Sequence, residues 1–406
     1  MNYIKLIKQE KMKKIAIILD GSLTDRKGLV NAALYRASYL KRISQDYQID
    51  VYNFQGYDNT IVRKLRHTKR LKRYSEYNVE GLNIKVFWYS STLLDYILGV
   101  RFKRRPFIQQ WAYRLKLPYF RKYDLISAHS TKCGLLAYYI NKKYNIPFCI
   151  TWHGSDIHTS PFNNEFNRKD TIKIIESAKF NFFVSKSLLD ISERLTTLAT
   201  KTILYNGVGP SFMKYEDDKR HFLRRKYGLQ NKQIVCFAGN VIDIKNPMTL
   251  PEIFNSVNRA YDGELCFWII GDGKLRPLIE QRFIELGLEY KCWGNINADF
   301  MVDYLNCVDV LVLPSKNEGL PLITVEALKC GANVVGSNVG GISEVIGMDN
   351  VFDINDDFIY KISGRIVEML SQPILQPLDN KFDWMTTAKK EYEIYQKILN
   401  QTKIQQ

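Results

Sequence analysis

Short apolar runs alternate along this 406-residue chain with longer stretches whose apolar positions recur at helical spacing. The first pattern is that of a buried strand and the second that of an amphipathic helix. In the first half it predicts strands at Lys14–Asp20, Ile49–Phe54, Ile84–Trp88, Leu125–Ala128, Pro147–Thr151, Asn181–Val184 and Thr202–Leu204. Helical patterns lie between them, including Gly28–Ile43 and Cys133–Tyr144. A glycine-rich turn at Tyr205–Pro210 and a charged helical stretch, Lys214–Tyr227, then interrupt the rhythm. It restarts with strands at Ile234–Ala238, Cys266–Ile270, Val310–Leu313, Asn333–Gly336 and Val351–Phe352. Helices are predicted at Pro247–Tyr261, Lys274–Leu286, Asp299–Cys307 and Leu322–Lys329. Strands that alternate with helices build parallel sheets covered on both faces. The expected class is therefore α/β, with two Rossmann-like doubly wound domains, residues 1–206 and 207–381. A closing helix follows within 382–406, where Trp384, Ala388, Tyr392 and Tyr395 share one face.

Composition agrees with two globular domains: hydrophobic residues make up 46% and charged residues 25%, neither disordered nor fibrous. The seven cysteines are scattered, without a C-x-x-C pair, which argues against a disulfide framework and against zinc. No apolar run approaches the roughly 18 residues of a membrane-spanning helix. The basic start lacks the apolar region of a signal peptide. Met12 opens the first strand, so residues 1–11 are expected to be an upstream extension and the protein cytoplasmic. Charge is uneven. Residues 1–206 hold 36 Lys and Arg against 16 Asp and Glu, a net of +20, and the remainder is slightly acidic. An anionic partner for the first half follows. Nucleic acid is disfavoured, because no nucleic-acid motif accompanies the charge. Basic, aromatic-rich stretches at Arg63–Arg73 and Arg101–Lys122, with Trp111, Tyr113 and Phe120, suit an anionic membrane surface or a lipid-linked acceptor. The plain alternative is solvated helix faces.

The most informative stretch is P-S-K-N-E-G-L-P-L-I-T-V-E-A-L, residues 314–328. A strand runs into a turn with Gly319 and Pro321, and then into a helix. Ligands of open α/β sheets bind outside the carboxyl ends of the strands. A helix N-terminus placed there offers unpaired N–H groups and a positive dipole end to a diphosphate. Pro321 suits the first turn, where its missing N–H costs nothing. Glu318 in the turn and Glu326 in the helix can each accept hydrogen bonds from a pair of vicinal hydroxyls, as on a ribose and a sugar.

This stretch resembles the E-x7-E signature of the retaining family 4 glycosyltransferases of the GT-B fold. Further blocks match in order: W-H-G-S-D at 152–156, Y-N-G-V at 205–208, A-G-N-V-I-D-I-K-N at 238–246, I-I-G-D-G at 269–273, W-G-N-I at 293–296, and the Gly340-Gly341 turn followed by I-S-E-V-I. The resemblance implies two domains facing across a cleft that closes on the donor. It also implies roles for single residues. Glu318 contacts the transferred sugar and Glu326 holds the ribose hydroxyls. Lys245 binds the diphosphate, received also by the backbone of Leu320, Leu322 and Ile323. Gly28 lets backbone approach the diphosphate, and His153 stands near the donor sugar. Asn240 and Asn295 fall in the donor-binding blocks, and the last helix returns to the N-terminal domain.

One departure stands out. The family often has Arg where this chain has Asn240, and a neutral amide binds phosphate more weakly than a charged group. Lys316 is the expected compensating cation. Other chemistries find no support in the sequence. Arg276 breaks a dinucleotide fingerprint after Gly271-Asp272-Gly273, and no G-x-x-x-x-G-K-[ST] loop or G-x-S-x-G elbow occurs. Asp353, Asp356 and Asp357 sit near an expected helix cap, so no catalytic metal and no cofactor beyond the nucleotide sugar is expected. Taken alone, His153 can simply cap a strand end, and Trp152 and Asp156 read as structural.

The expected activity is retaining transfer from a nucleoside diphosphate sugar, UDP favoured, to a glycan or lipid-linked saccharide in polysaccharide biosynthesis. Peripheral contact with the inner face of the cytoplasmic membrane is a further expectation. A nucleotide-sugar epimerase and a non-catalytic GT-B partner subunit are the alternatives.

Overall fold

The computed structural model describes residues 12–24, 28–67, 70–101, 107–372 and 374–404. The expected extension at 1–11 lies outside the described residues, as do 68–69 and 102–106 of the two basic stretches. The chain divides into two compact units. The first comprises Met1–Phe183, Ser192–Leu204 and Ala388–Gln406, and the second Val184–Ile191 and Tyr205–Thr387.

Eight strands form the sheet of the first unit: β1 Lys13–Asp20, β2 Tyr47–Asp58, β3 Glu76–Val79, β4 Leu82–Ser91, β5 Leu125–His129, β6 Phe148–Trp152, β7 Phe180–Phe183 and β8 Lys201–Ile203. Their order is β3-β4-β2-β1-β5-β6-β7-β8, with every pair parallel except β3 and β4. β3 and β4 are joined at Glu80 and Gly81, with φ of 52° and 73°, the left-handed pair that a tight hairpin requires. The centre of β1, Ile15–Leu19, is buried on both faces, as its unbroken apolar run predicts. The helix Gly28–Ile43 packs Ala33, Leu34 and Ala37 on that strand, in one core with Tyr395, Ile398 and Leu399 of the last helix, Trp384–Ile404. Each fully buried Leu or Ile contributes about 1.5–3 kcal/mol. Within this core Arg36 and Glu391, both almost fully covered, form an ion pair, and Glu391 also accepts from the Tyr395 hydroxyl.

Six strands form the sheet of the second unit: β9 Gln233–Ala238, β10 Leu265–Ile270, β11 Tyr290–Gly294, β12 Val310–Leu313, β13 Asn333–Ser337 and β14 Val351–Phe352. Their order is β11-β10-β9-β12-β13-β14, parallel throughout. This is the 3-2-1-4-5-6 order of a doubly wound nucleotide-binding sheet. The order reverses between β9 and β12, and the carboxyl ends of those two strands flank the switch point.

Two expectations need correction in detail. The edge strands β3 and β11 were not among those predicted. The aromatic residues of the second basic stretch also do not share one role. Tyr113 and Phe120, on the helix Phe107–Phe120, are buried against Phe54 and Tyr52, while Trp111 is about half exposed. Tyr113 and Phe120 therefore belong to the core and cannot meet a membrane. Among the described residues no helix is long and apolar enough to cross one.

Candidate functional site

The carboxyl ends of β9 to β13 carry loops built for close backbone packing. Gly239 donates its N–H to Ile270 O at 2.9 Å, and Gly271 donates to Gly294 O at 2.7 Å. A Cβ on Gly271 would stand 2.0 Å from Gly239 O, and one on Gly273 2.3 Å from Val241 O, so only glycine fits these crossings. The β9 loop continues through a short 3-10 turn, Asp243–Lys245, which ends at Asn246 with φ of 53°. The β12 loop meets it through the Lys316 N–H, which donates to Ile244 O at 2.8 Å.

That contact brings two of the expected site residues together. Lys245 donates to Glu318 Oε1 at 2.5 Å, and Ser315 Oγ donates to the same oxygen at 2.7 Å. Glu318 is buried and Lys245 partly so. Oε2 of Glu318 makes no hydrogen bond among the described residues, so one carboxylate oxygen remains to accept from a ligand hydroxyl. The helix Leu322–Lys329 starts directly after this loop. The Thr324 N–H closes onto Pro321 O at 3.1 Å, while the N–H groups of Leu322 and Ile323, first in the helix, have no carbonyl partner among the described residues.

Glu326 lies in the second turn of that helix, and its carboxyl group has no hydrogen-bond partner among the described residues. Burial pushes its carboxyl up to about 7. A raised carboxyl pKa means that the folded chain holds this proton more tightly than the unfolded chain. The group's contribution to stability is therefore present below about 4.5 and is lost as the pH rises through about 7.

The loop carrying Glu318 rests on the Gly340-Gly341 turn. The Gly341 N–H donates to Gly319 O at 2.8 Å. Gly340 has φ of +58°, and a Cβ there would stand 1.9 Å from Glu318 O. Gly340→Ala must therefore push the loop that aims Glu318. We expect a loss of about 10²-fold in turnover, since displacements near 1 Å cost that much. Gly228→Ala is the control: φ is +70° but nothing lies within 4 Å, so it shares the strain without the collision. Equal turnover in the two variants would show that the turn does not position Glu318.

Of the remaining expected donor residues in this unit, Asn240 and Asn295 are exposed at the ends of β9 and β11, and Leu320 is buried. Lys316 is exposed on the β12 loop. Near it Asp243, held below the usual carboxylate range chiefly by its hydrogen bond to Lys274, also feels the Lys316 charge. Ser315 and Glu344 were not singled out from the sequence. Glu344 accepts the N–H groups of Lys186 and Ser187 at 2.8 and 3.0 Å and the Tyr205 hydroxyl at 2.9 Å. Its place in I-S-E-V-I, directly after the double glycine, was the available signal.

His153 and Gly28 belong to the first unit. Gly28 opens its helix and is exposed. His153 follows β6, and Asp156 accepts the N–H groups of His153 and Gly154, which fixes the turn. Trp152 is buried and donates to Asn181 Oδ1 at 3.0 Å, so it has a structural role. His153 Nε2 lies 3.0 Å from Nδ1 of His129, a partner that was not expected. Burial first, and then the Arg36 charge, pushes the His153 ring down to about 3, and burial pushes His129 down as well. Both rings are neutral at physiological pH. His153 Nδ1 is buried without a partner among the described residues. It therefore offers one hydrogen bond.

All seven cysteines are free, and among the described residues no three His, Cys, Asp or Glu side chains are grouped to hold a metal ion.

Residues 232–372 match the family model described as glycosyl transferases group 1. The chain is 24% identical over 286 residues to the putative teichuronic acid biosynthesis glycosyltransferase TuaC of Bacillus subtilis, which covers 68% of this chain and 71% of that protein. It is 26% identical over 230 residues to the N-acetyl-alpha-D-glucosaminyl L-malate synthase of Bacillus anthracis, across 55% of this chain and 58% of that one. Among solved structures, HepE of Anabaena in complex with UDP superposes with a TM-score of 0.72 at 17% identity, across 95% of this chain and 100% of that one. Sucrose-phosphate synthase of Thermosynechococcus elongatus superposes with a TM-score of 0.73 at 16% identity, across 96% and 99%.

Proposed function

We propose that this chain, a glycosyltransferase of the GT-B fold with a group 1 second domain, transfers a sugar with retention from a UDP-sugar to a glycan or lipid-linked saccharide in polysaccharide assembly. One observation carries the donor part of this reading. Lys245 and Glu318 meet at the switch point of a 3-2-1-4-5-6 sheet, directly before the start of the helix that carries Glu326. A cation, two free N–H groups and two carboxylates match the parts of a nucleoside diphosphate sugar: diphosphate, ribose and sugar hydroxyls. UDP is favoured because the structurally similar HepE is described as a UDP complex.

In this reading Lys245 divides its three donors between Glu318 and the diphosphate. The bond from sugar C1 to the phosphate oxygen breaks and its electron pair leaves with the diphosphate. Lys245, with Lys316 in place of the family's arginine, and the amides of Leu322 and Ile323 stabilise that charge. The acceptor oxygen bonds C1 on the same face, and its proton passes to the departing phosphate oxygen. No enzymic base is then needed, which suits a His153 that stays neutral and serves as a hydrogen-bonding group. Glu318 Oε2 accepts from a hydroxyl of the transferred sugar, and Glu326 from the ribose.

Thermal-shift measurement with UDP, GDP, dTDP, ADP and CMP tests the donor assignment. A ligand held at about one hundred times its Kd adds about 2.7 kcal/mol of stability. UDP should give this shift and Glu326→Ala should lose it. Ribose hydroxyls favour the ionised carboxylate, so UDP affinity should rise as the pH passes upward through about 7, and Glu326→Gln should flatten that rise. No shift with any of the five nucleotides would overturn the donor site.

A further inference from the structure

A cavity of about 320 Å³ opens on the first unit at the carboxyl ends of β2 and β4. Tyr57 and Asp58 line it from β2 and Ser90 from β4. Arg63 lines it from the helix Thr60–Arg66, and Arg70 and Arg73 from the segment that follows. The volume is that of a small-ligand pocket. Strand carboxyl ends are where open α/β sheets receive ligands.

Its charge is unbalanced. Asp58 is the one acid among the lining residues, and it bonds Arg66 at 3.3 Å, an arginine outside the lining. Arg63, Arg70 and Arg73 have no carboxylate partner among the described residues. The Arg73 guanidinium lies over the Tyr57 ring, 4.6 Å from its centroid. This cation–π contact uses the ring face of Tyr57 and consumes none of the Arg73 N–H donors. Three guanidinium charges around one concavity outnumber the single Asp58 carboxylate and favour a further anion, and the fork geometry of arginine matches phosphate or carboxylate oxygens.

We propose that this cavity binds an oxyanion carried by the acceptor, a phosphate, diphosphate or carboxylate next to the accepting sugar. The word acceptor rests on the glycosyl-transfer reading; binding of an anion does not.

Calorimetric titration of the full chain tests it. Lys245→Ala/Glu326→Ala disables the donor site, and inorganic pyrophosphate or D-glucuronate is then titrated with and without the added pair Arg70→Ala/Arg73→Ala. Pyrophosphate or glucuronate should bind, and the arginine pair should weaken that binding by about tenfold or more, the size of a lost charged hydrogen bond. Arginine-dependent binding of pyrophosphate alone assigns a diphosphate head group, and of glucuronate a carboxylated sugar. With Lys245 and Glu326 intact, Arg70→Ala/Arg73→Ala should keep the UDP affinity of the native chain. Loss of UDP binding by the native chain would count against the donor assignment and leave the anion titration valid. Binding of neither probe, or binding indifferent to Arg70 and Arg73, overturns the proposal.

Discussion

Lys245→Ala should lower turnover by about 10²–10³-fold, the cost of removing one donor aimed at a developing oxyanion. Among the described residues Lys245 is the one cation bonded to Glu318, and its side chain is about a quarter exposed, so its charge acts where water screens weakly. The variant loses twice. In the proposed mechanism the departing diphosphate loses a charge-assisted donor, and among the described residues the buried Glu318 carboxylate keeps only the Ser315 hydroxyl. Glu318→Ala should therefore be nearly as damaging alone, and the double variant little worse than either, since residues that act as one unit are not additive. Single-turnover kinetics under saturating donor, with KM measured alongside, separate chemistry from binding. Turnover within about threefold of the native value, small against the expected loss, would remove Lys245 from leaving-group stabilisation.

The second large effect concerns stability. Glu391→Ala should destabilise the first unit by about 3–5 kcal/mol, because Arg36 would remain buried with an uncompensated charge. Arg36 and Glu391 are 1% and 0% exposed at the side chain. The Nη1 and Nη2 atoms of Arg36 already lack partners among the described residues, so nothing is in place to absorb the loss, apart from the Phe182 ring beneath the guanidinium. Replacing both partners, as in Arg36→Met/Glu391→Leu, should cost less than either single change, since burying apolar surface avoids the desolvation of two ions. Urea unfolding followed by the circular dichroism of the chain measures both. A Glu391→Ala cost below about 1 kcal/mol would place the pair among exposed ion pairs and contradict its burial.

The α/β class, the helices Gly28–Ile43 and Leu322–Lys329 and the strand Val310–Leu313 were legible in the sequence with the bounds the structure gives them. Their apolar runs are long or fully buried, and Gly and Pro punctuate their ends. The strands β3 and β11 escaped because they lie at sheet edges and only partly buried positions carry a weak apolar signal. Tyr113 and Phe120 were misplaced for a related reason. A helical stripe reports that one face is apolar, and says nothing of whether that face meets a core or a bilayer.

The order of motifs along the chain was enough to set the fold class and to mark Glu318, Glu326 and Lys245 as candidates. What each candidate touches was decided by tertiary structure alone. Lys245 and Glu318 are 73 positions apart and meet because β9 and β12 are neighbours at the point where strand order reverses. Arg36 and Glu391 are 355 positions apart and meet because the last helix closes the core of the first unit. The neutral state of His153 and the raised carboxyl of Glu326 also depend on packing, since desolvation is a property of the surroundings and not of the residue type. Local sequence determines which segments become helix or strand, because backbone preference and apolar period act over a few residues. Charge, proton affinity and partner choice are set by groups that folding brings in from elsewhere in the chain.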